Sequence, residues 1–286
     1  MSDNSGFNTF STNRGNYGNY GNRDFMDSNS LVAKFAFLLL VLIAFLFLLR
    51  IGISVVTWLL SPNKSPKLFT GMVDATQMLY FPQDPSMNGA VTIYRSVNAT
   101  DGIEFTWSVW IYITDLQYLN GQYKHVFYKG NANLEQNGLN FPNNAPGVYI
   151  APDTNSLVVM MNTFKVINEE VVIPDIPLNK WVNVIIRCQE TTLDVFINGT
   201  ISRSIQLSSV PKQNYGDVYV GANGGFSGYT SNLWYYDYAL GTAAIQSLVS
   251  SGPNTNMVGS GGMDLTNPNY LSLRWFFYGE NDAYNP

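Results

Sequence analysis

The chain has 286 residues, enough for one large domain or two small ones with a substantial core. Charged residues make up only 12% of it and the net charge is −5 with scattered lysines and arginines, which argues against nucleic-acid binding. The single cysteine, Cys188, excludes an intrachain disulfide, and the single histidine, His125, excludes a multi-histidine metal site. Cys188 lies in the apolar run VNVIIRCQ and is predicted to be a buried hydrophobic residue.

Residues 1–30 are dominated by Asn, Gly and Ser, and NYG occurs twice. Apolar residues are too few and too irregular here to bury a helix or strand face. We therefore predict a disordered tail, whose tyrosines and arginines could contact a neighbouring protein.

Residues 31–61 are predicted to form a transmembrane helix. Phe35 to Leu49 is an unbroken apolar run, and apolar residues resume after Arg50. The whole stretch exceeds the roughly 20 residues that a bilayer core requires. Trp58 suits the membrane interface, and Pro62 ends the helix. The long leader and the lack of a small-residue cleavage pattern argue against a cleaved signal peptide.

The orientation of this helix stays open, because basic residues flank both ends: Arg14, Arg23 and Lys34 on one side, Lys64 and Lys67 on the other. Three glycosylation motifs follow, at Asn63, Asn98 and Asn198. They would matter only if the C-terminal part were lumenal or extracellular.

After a predicted linker at residues 62–75, residues 76–286 alternate short β-prone runs with turn residues. The predicted strands are 104–113, 123–130, 147–151, 156–163, 181–188, 192–199, 216–222, 231–238 and 271–279. Asn198-Gly199 is the preferred pair for a two-residue hairpin turn. Helical spacing is found at 241–251, with Ala244 and Leu248 on one face and Ile245 as a further candidate for that face. Nine or more strands at this spacing predict an all-β sandwich or jelly roll.

The order of these runs resembles the laminin-G-like, concanavalin A-like lectin/glucanase fold over residues 100–250. The most specific parts are PLNKWVNV…LDVFING and the glycine-rich VYVGANGGFSGYTSNLWYYDYAL before a short helix. The resemblance implies two antiparallel sheets, completed by strands near 76–96 and 270–279. It implies carbohydrate or protein binding but not catalysis, because the fold serves many functions. The anchor, the low cysteine content and the Asn-rich tail also resemble virion proteins of large DNA viruses.

Catalytic motifs of glycan-cleaving relatives are missing from the sequence. The paired carboxylates of Glu-x-Asp-x-x-Glu are absent, and the adjacent Glu169 and Glu170 would point to opposite faces of a strand. Gly225-Phe-Ser227-Gly departs from the spacing of a nucleophile elbow. We therefore predict that the protein is not an enzyme and has no catalytic or cofactor-binding residues.

Other binding chemistry has weaker support. Some laminin-G-like domains bind calcium at the sheet rim, and Asp153 with Asn155 is the nearest candidate here, although Asp-Thr-Asn also forms a turn. Most aromatic residues are expected to pack in the core, and the rest could stack on sugars. The stretch GANGGFSG lacks a phosphate-binding order and leads into a strand, which predicts a tight chain reversal.

The first functional hypothesis is a non-enzymatic protein anchored in a membrane through residues 31–61, whose sandwich contacts other structural proteins, such as a capsid shell beside a viral membrane. The alternative is a lectin-like attachment or surface protein that binds glycans. A membrane-tethered glycanase has only the fold in its favour.

Overall fold

The computed structural model describes residues 31–61, 63–96, 98–99 and 102–258. The predicted tail at 1–30 and the predicted strand at 271–279 lie outside these residues, as does the side chain of Asn98. Contacts divide the chain into two compact units, one ending at Pro62 and one beginning at Asn63.

The described residues of the first unit form the helix α1 (Leu31–Leu59), with 29 residues. At a rise of 1.5 Å per residue it is about 44 Å long, against about 30 Å for a bilayer core. Large apolar side chains are exposed all around it. By length and composition, α1 could cross a membrane.

The second unit is a β-sandwich followed by a short helix, α2 (Thr242–Ser251). Its strands are β1 (Lys67–Asp74), β2 (Leu79–Phe81), β3 (Asn98–Ala99), β4 (Gly102–Asp115), β5 (Lys124–Gly130), β6 (Gly147–Ile150), β7 (Leu157–Met161), β8 (Glu169–Ile173), β9 (Trp181–Glu190), β10 (Thr192–Ile197), β11 (Thr200–Gln206), β12 (Asp217–Val220) and β13 (Ser227–Tyr236).

The strands form two antiparallel sheets. The larger sheet has the order β1-β13-β4-β9-β10-β11, with β3 paired to β4, and the smaller one has the order β2-β12-β5-β6-β7-β8. Alternate residues of both sheets point inward, and the core between them includes Trp107, Phe127 and Val195. The predicted fold class is confirmed for the described part of the chain.

The hairpin of β10 and β11 has the predicted turn. Ile197 pairs with Thr200, and the two intervening residues, Asn198 and Gly199, have φ angles of 50° and 79°. Positive φ at both positions is the type I′ geometry that Asn-Gly favours. The Asn198 Oδ1 also accepts a hydrogen bond from the Asn183 N–H at 2.8 Å, so this side chain ties the turn to β9.

The sandwich begins earlier than its predicted boundary. Residues 62–75 were expected to be a linker, but they include β1, whose Leu68 and Phe69 are buried in the core. The pairing of β1 with β13 shifts register between Lys67 and Phe69 and again between Phe69 and Met72. Because these irregularities break the two-residue alternation, the sequence pattern of β1 does not read as a strand.

The predicted helix is present as α2, and of the three residues expected on one face, Ile245 and Leu248 pack against the sandwich and Ala244 does not. Ile245 is fully buried against Ile185 and Phe196 on the outer face of the larger sheet, with Leu248 and Val249 partly buried beside it. Ala244 is exposed.

Candidate functional site

The sandwich contains a cavity between the two sheets, which we call the inter-sheet pocket. Its volume is about 710 Å³, within the range of about 300–1,000 Å³ typical of small-molecule sites. Its floor consists of core residues from both sheets: Ile103, Phe105, Trp107, Met161 and Tyr235. Its rim comes from two irregular segments, 83–96 and 212–215, together with Lys64 and Lys129.

Side-chain amides hold the two rim segments in place. The Gln83 Oε1 accepts a hydrogen bond from the Ile93 N–H at 2.8 Å, and its Nε2 donates to the Val91 carbonyl at 2.8 Å. The Gln213 Nε2 donates to the Ser96 Oγ at 3.0 Å, which joins one segment to the other. The Tyr235 hydroxyl donates to the Tyr94 carbonyl at 3.3 Å and links the rim to the larger sheet.

The charge at the pocket is predominantly positive. A single acidic residue, Asp84, lines it. The basic residues that line it are Lys64, Arg95, Lys129 and Lys212. Within the described ranges, the one ion pair joins Arg187 to Asp194, outside this pocket. The Asp84 carboxylate accepts hydrogen bonds from Ser86.

Lys129 differs from the other three cations because it is buried. Its Nζ donates to the Asn214 carbonyl at 3.0 Å, the Asn214 Oδ1 at 3.3 Å and the Gly216 carbonyl at 2.6 Å. Burial lowers the pKa of Lys129 to about 8, and the charge of Asp217 opposes this shift. All three ammonium donors are thus used inside the protein, so Lys129 fixes the rim and is not available to a ligand.

Arg95 is exposed at the mouth, and its guanidinium lies 5.1 Å from the ring centroid of Tyr215. Lys212 is half-buried, with its Nζ 5.5 Å from the ring centroid of Phe164. These contacts orient the cationic groups and leave them able to donate hydrogen bonds.

The outer face of the smaller sheet carries an aromatic cluster, covered by the loop at 131–146. Tyr128 and Tyr149 are almost fully buried there, with His125 between them at ring-centroid distances of 5.4 and 4.9 Å. The Asn144 side chain accepts a hydrogen bond from the Tyr149 hydroxyl and donates to the Asn140 carbonyl at 2.7 Å. Because this loop covers the rings, sugars cannot stack on them.

Two tyrosines at the side of this cluster are more accessible. Tyr80 and Tyr219 are cross-strand neighbours on β2 and β12, with ring centroids 5.2 Å apart, and Tyr80 is 37% exposed. The Tyr80 hydroxyl donates to the Asp217 Oδ2 at 2.8 Å, and this hydrogen bond raises the pKa of Tyr80 to about 12.

His125 is placed as a buried structural residue. Its Nε2 faces the Gly138 carbonyl and its Nδ1 has no hydrogen-bond partner. Burial lowers the pKa of His125 to about 4, and the hydrogen bond to Gly138 partly offsets this shift. Protonation of the ring is therefore unfavourable, because it would place a positive charge inside a buried aromatic cluster.

We expect the free energy of unfolding to fall as the pH decreases from about 6.5 to about 4. The unfolded chain binds a proton at His125 below about 6.5, whereas the folded chain excludes it until about 4, so acid favours unfolding by up to about 3 kcal/mol. Urea denaturation at pH 7 and at pH 4.5 measures the effect in the wild type and in His125→Gln. The variant should show the weaker pH dependence, and parallel profiles would contradict this account of His125.

The adjacent acids Glu169 and Glu170 follow the predicted alternation along β8. Burial raises the pKa of Glu169, but hydrogen bonds from Ser208 and Thr163 outweigh it and leave the pKa below its usual value. Glu170 is exposed. Cys188 is buried as predicted, and burial raises its pKa to about 12, so its thiol is not an activated nucleophile.

The calcium candidates lie in the turn between β6 and β7. The Asn155 Nδ2 donates to the Ile176 backbone carbonyl at 3.4 Å, and the Asn155 backbone carbonyl accepts a hydrogen bond from the Ile176 N–H at 3.0 Å. No group of three or more His, Cys, Asp or Glu side chains that could hold a metal occurs in the described ranges. A calcium site at Asp153 and Asn155 stays a prediction.

Of the glycosylation candidates, Asn63 and Asn198 are exposed. The Asn63 Oδ1 accepts a hydrogen bond from the Ser65 N–H at 3.0 Å. Both positions are accessible to modification, and use of the three motifs stays a prediction.

The inter-sheet pocket was not predicted. Its residues come from many separated stretches of the chain, chiefly 83–96, 103–107 and 212–215, and none of these has a recognisable motif. The one available signal was the concentration of Lys, Gln, Asn and Tyr at 212–215 directly before a predicted strand.

Residues 85–246 match the family described as the concanavalin A-like lectin/glucanases superfamily. No curated protein matches the sequence. Among solved structures, the receptor-binding domain of botulinum neurotoxin C/D mosaic serotype is similar at 13% identity and a TM-score of 0.42, over 52% of this chain and 36% of that one. The binding domain of botulinum neurotoxin serotype G is similar at 12% identity and a TM-score of 0.44, over 63% of this chain and 46% of that one.

This chain thus spans less than half the length of either neurotoxin domain. At these identities and TM-scores, the likeness carries no argument about ligands. The family match covers the strands of both sheets from β3 to β13 and the beginning of α2. The chain belongs to the concanavalin A-like lectin/glucanases superfamily.

Proposed function

We propose that the protein is a non-enzymatic, single-pass membrane protein whose β-sandwich binds other proteins. The observation that carries the proposal is α1, a 29-residue helix whose apolar side chains are exposed all around and which precedes a sandwich of the concanavalin A-like lectin/glucanases superfamily. A helix without a polar face has no stable place in water, so it requires a bilayer or an equivalent apolar cover.

Alkaline carbonate extraction of membranes containing the full chain tests the anchor. We expect the wild type to stay in the membrane pellet. Leu42→Asp with Leu46→Asp should move it to the supernatant, since each central carboxylate costs about 3 kcal/mol in a bilayer. The matched control is Leu42→Ile with Leu46→Ile, which should behave as the wild type. Wild-type protein in the supernatant would contradict the proposal.

The finer proposal is a membrane-associated minor capsid component of a virion. Its support is the combination of a membrane helix, a binding sandwich with one buried cysteine and a tail of Asn, Gly and Ser, which resembles virion proteins of large DNA viruses. In this arrangement α1 holds the protein in the viral membrane, and the sandwich contacts the capsid shell.

A second candidate function is glycan binding, favoured by the accessible pair Tyr80 and Tyr219. Adjacent aromatic rings at a sheet surface can stack on sugar faces. A glycan array probed with the full chain in nanodiscs tests it. Specific binding that Tyr219→Ala abolishes would favour this function, and a blank array would favour the protein-binding role.

A further inference from the structure

The floor of the inter-sheet pocket is formed by apolar residues of the core between the two sheets. It includes Trp107, whose ring packs at centroid distances of 5.1 Å from Phe127 and 5.0 Å from Tyr235. Protein interiors are normally packed as densely as organic crystals, and apolar surface in water is unfavourable. A cavity of about 710 Å³ against this floor suits an apolar molecule.

The neutral polar side chains at the rim are already engaged. Both ends of the Gln83 amide bind backbone groups of residues 91 and 93, and the Gln213 Nε2 donates to Ser96. The Asn214 side chain binds Lys129 and the Gly216 N–H. A ligand with many hydroxyl groups, such as a sugar, would therefore find few free partners.

The charge at the mouth favours one anionic group. Lys64, Arg95 and Lys212 form no ion pair in the part of the chain that the structure describes. Arg95 is best placed, because its guanidinium rests on Tyr215 and presents a planar fork that matches a carboxylate or phosphate. These cations stand out in a chain whose net charge is −5.

We infer that the inter-sheet pocket binds an anionic amphiphile, with its hydrocarbon chain against Trp107 and Phe105 and its head group at Arg95. A free fatty acid and an anionic phospholipid share this chemistry. The inference goes beyond the proposed function and does not depend on it, since the pocket lies wholly within the sandwich.

Quenching of tryptophan fluorescence by a dibrominated stearate tests the inference. The full chain is placed in phosphatidylcholine nanodiscs with Trp58→Phe, which removes the tryptophan of α1. We expect saturable quenching. Arg95→Ala should weaken the affinity about tenfold, as loss of a charge-assisted hydrogen bond does. The control Lys180→Ala, an exposed cation outside the pocket, should leave the affinity unchanged.

The methyl ester of the same acid isolates the head group. It should bind the wild type about tenfold more weakly than the acid, and Arg95→Ala should not weaken it further. Equal affinity of acid and ester would overturn the inference.

Two variants test the position of the hydrocarbon chain in the pocket. Trp107→Phe should lose most of the saturable quenching, and Ile93→Trp, which narrows the mouth, should abolish binding of a fluorescent fatty acid. Thermal unfolding checks that each variant is folded. If Trp107→Phe does not fold, the comparison of the acid with its methyl ester in the wild type still tests the inference. Quenching that persists in folded Trp107→Phe would contradict the proposed site.

Phosphatidylserine in the nanodiscs separates the two sources of ligand. If it displaces the brominated acid, the ligand is a membrane lipid; if it does not, the ligand is a soluble fatty acid. Either result supports the inference only if Arg95→Ala also weakens the affinity for the brominated acid.

Discussion

Replacing Gly225 by alanine should lower the free energy of unfolding by about 3–5 kcal/mol, a large part of the total stability of a typical domain. A Cβ at this position would lie 1.8 Å from the Ala75 carbonyl oxygen, a backbone atom that cannot move aside alone. Gly225 also has φ 59° and ψ −128°, a conformation that side chains disfavour.

The effect is large because this turn connects the two sheets. The chain leaves β12 in the smaller sheet, passes through a 3-10 turn at Ala222–Gly224 and enters β13 in the larger sheet. The Ala75 N–H donates to the Gly228 carbonyl at 3.0 Å, and the Phe226 N–H donates to the Ala75 carbonyl at 3.4 Å. Displacing Ala75 would disturb both contacts.

Urea denaturation measures the effect, with Gly241→Ala as the matched control. Gly241 has φ −70°, and nothing lies within 4 Å of a Cβ placed there. We expect the free energy of unfolding of the control to lie within about 0.5 kcal/mol of the wild-type value. A Gly225→Ala protein with the same midpoint as the control would contradict the close approach to Ala75.

Asp194→Ala should lower the free energy of unfolding by about 3–5 kcal/mol, because it leaves the half-buried Arg187 without its partner. The Arg187 Nε and Nη2 donate to the Asp194 Oδ2 at 3.1 and 2.6 Å, and its Nη1 donates to the Leu240 carbonyl at 3.1 Å. The two side chains are 18% and 7% exposed. The pair therefore joins β9 and β10 to the segment before α2.

The double variant Arg187→Met with Asp194→Leu separates the charge from the packing. If the loss in Asp194→Ala comes from an unpaired cation, replacing both residues by apolar ones should restore most of the stability. Denaturant melts of the wild type, the single variant and the double variant give the comparison. A loss below about 1 kcal/mol in the single variant would show that the pair behaves as an exposed one.

Much of the fold follows from local sequence patterns. The β10–β11 hairpin could be predicted because alternating apolar residues precede Asn198-Gly199, and the structure has both the strand and the turn. The role of the glycine-rich stretch could also be predicted, since no helix follows it to bind a phosphate. Its close approach to Ala75 depends on a residue about 150 positions earlier, so the sequence could not specify it.

What could not be predicted depends on irregular backbone and distant contacts. Strand β1 was missed because two register shifts break its alternation. The inter-sheet pocket was missed because it forms where residues 83–96 and 212–215 meet, and neither segment has a helix or strand period. Local patterns thus predict the sheets of this protein, whereas its candidate ligand site arises from the segments between them.

Cross-linking mass spectrometry on the native membrane or particle tests the proposed role most directly. Exposed lysines of the sandwich, among them Lys64, Lys165 and Lys180, offer sites for an amine-reactive linker. A membrane-anchored binding sandwich predicts recurrent cross-links from these lysines to another structural protein, in the virion case a capsid protein. Cross-links confined to this chain, with the partner proteins present and cross-linked among themselves, would contradict the proposal.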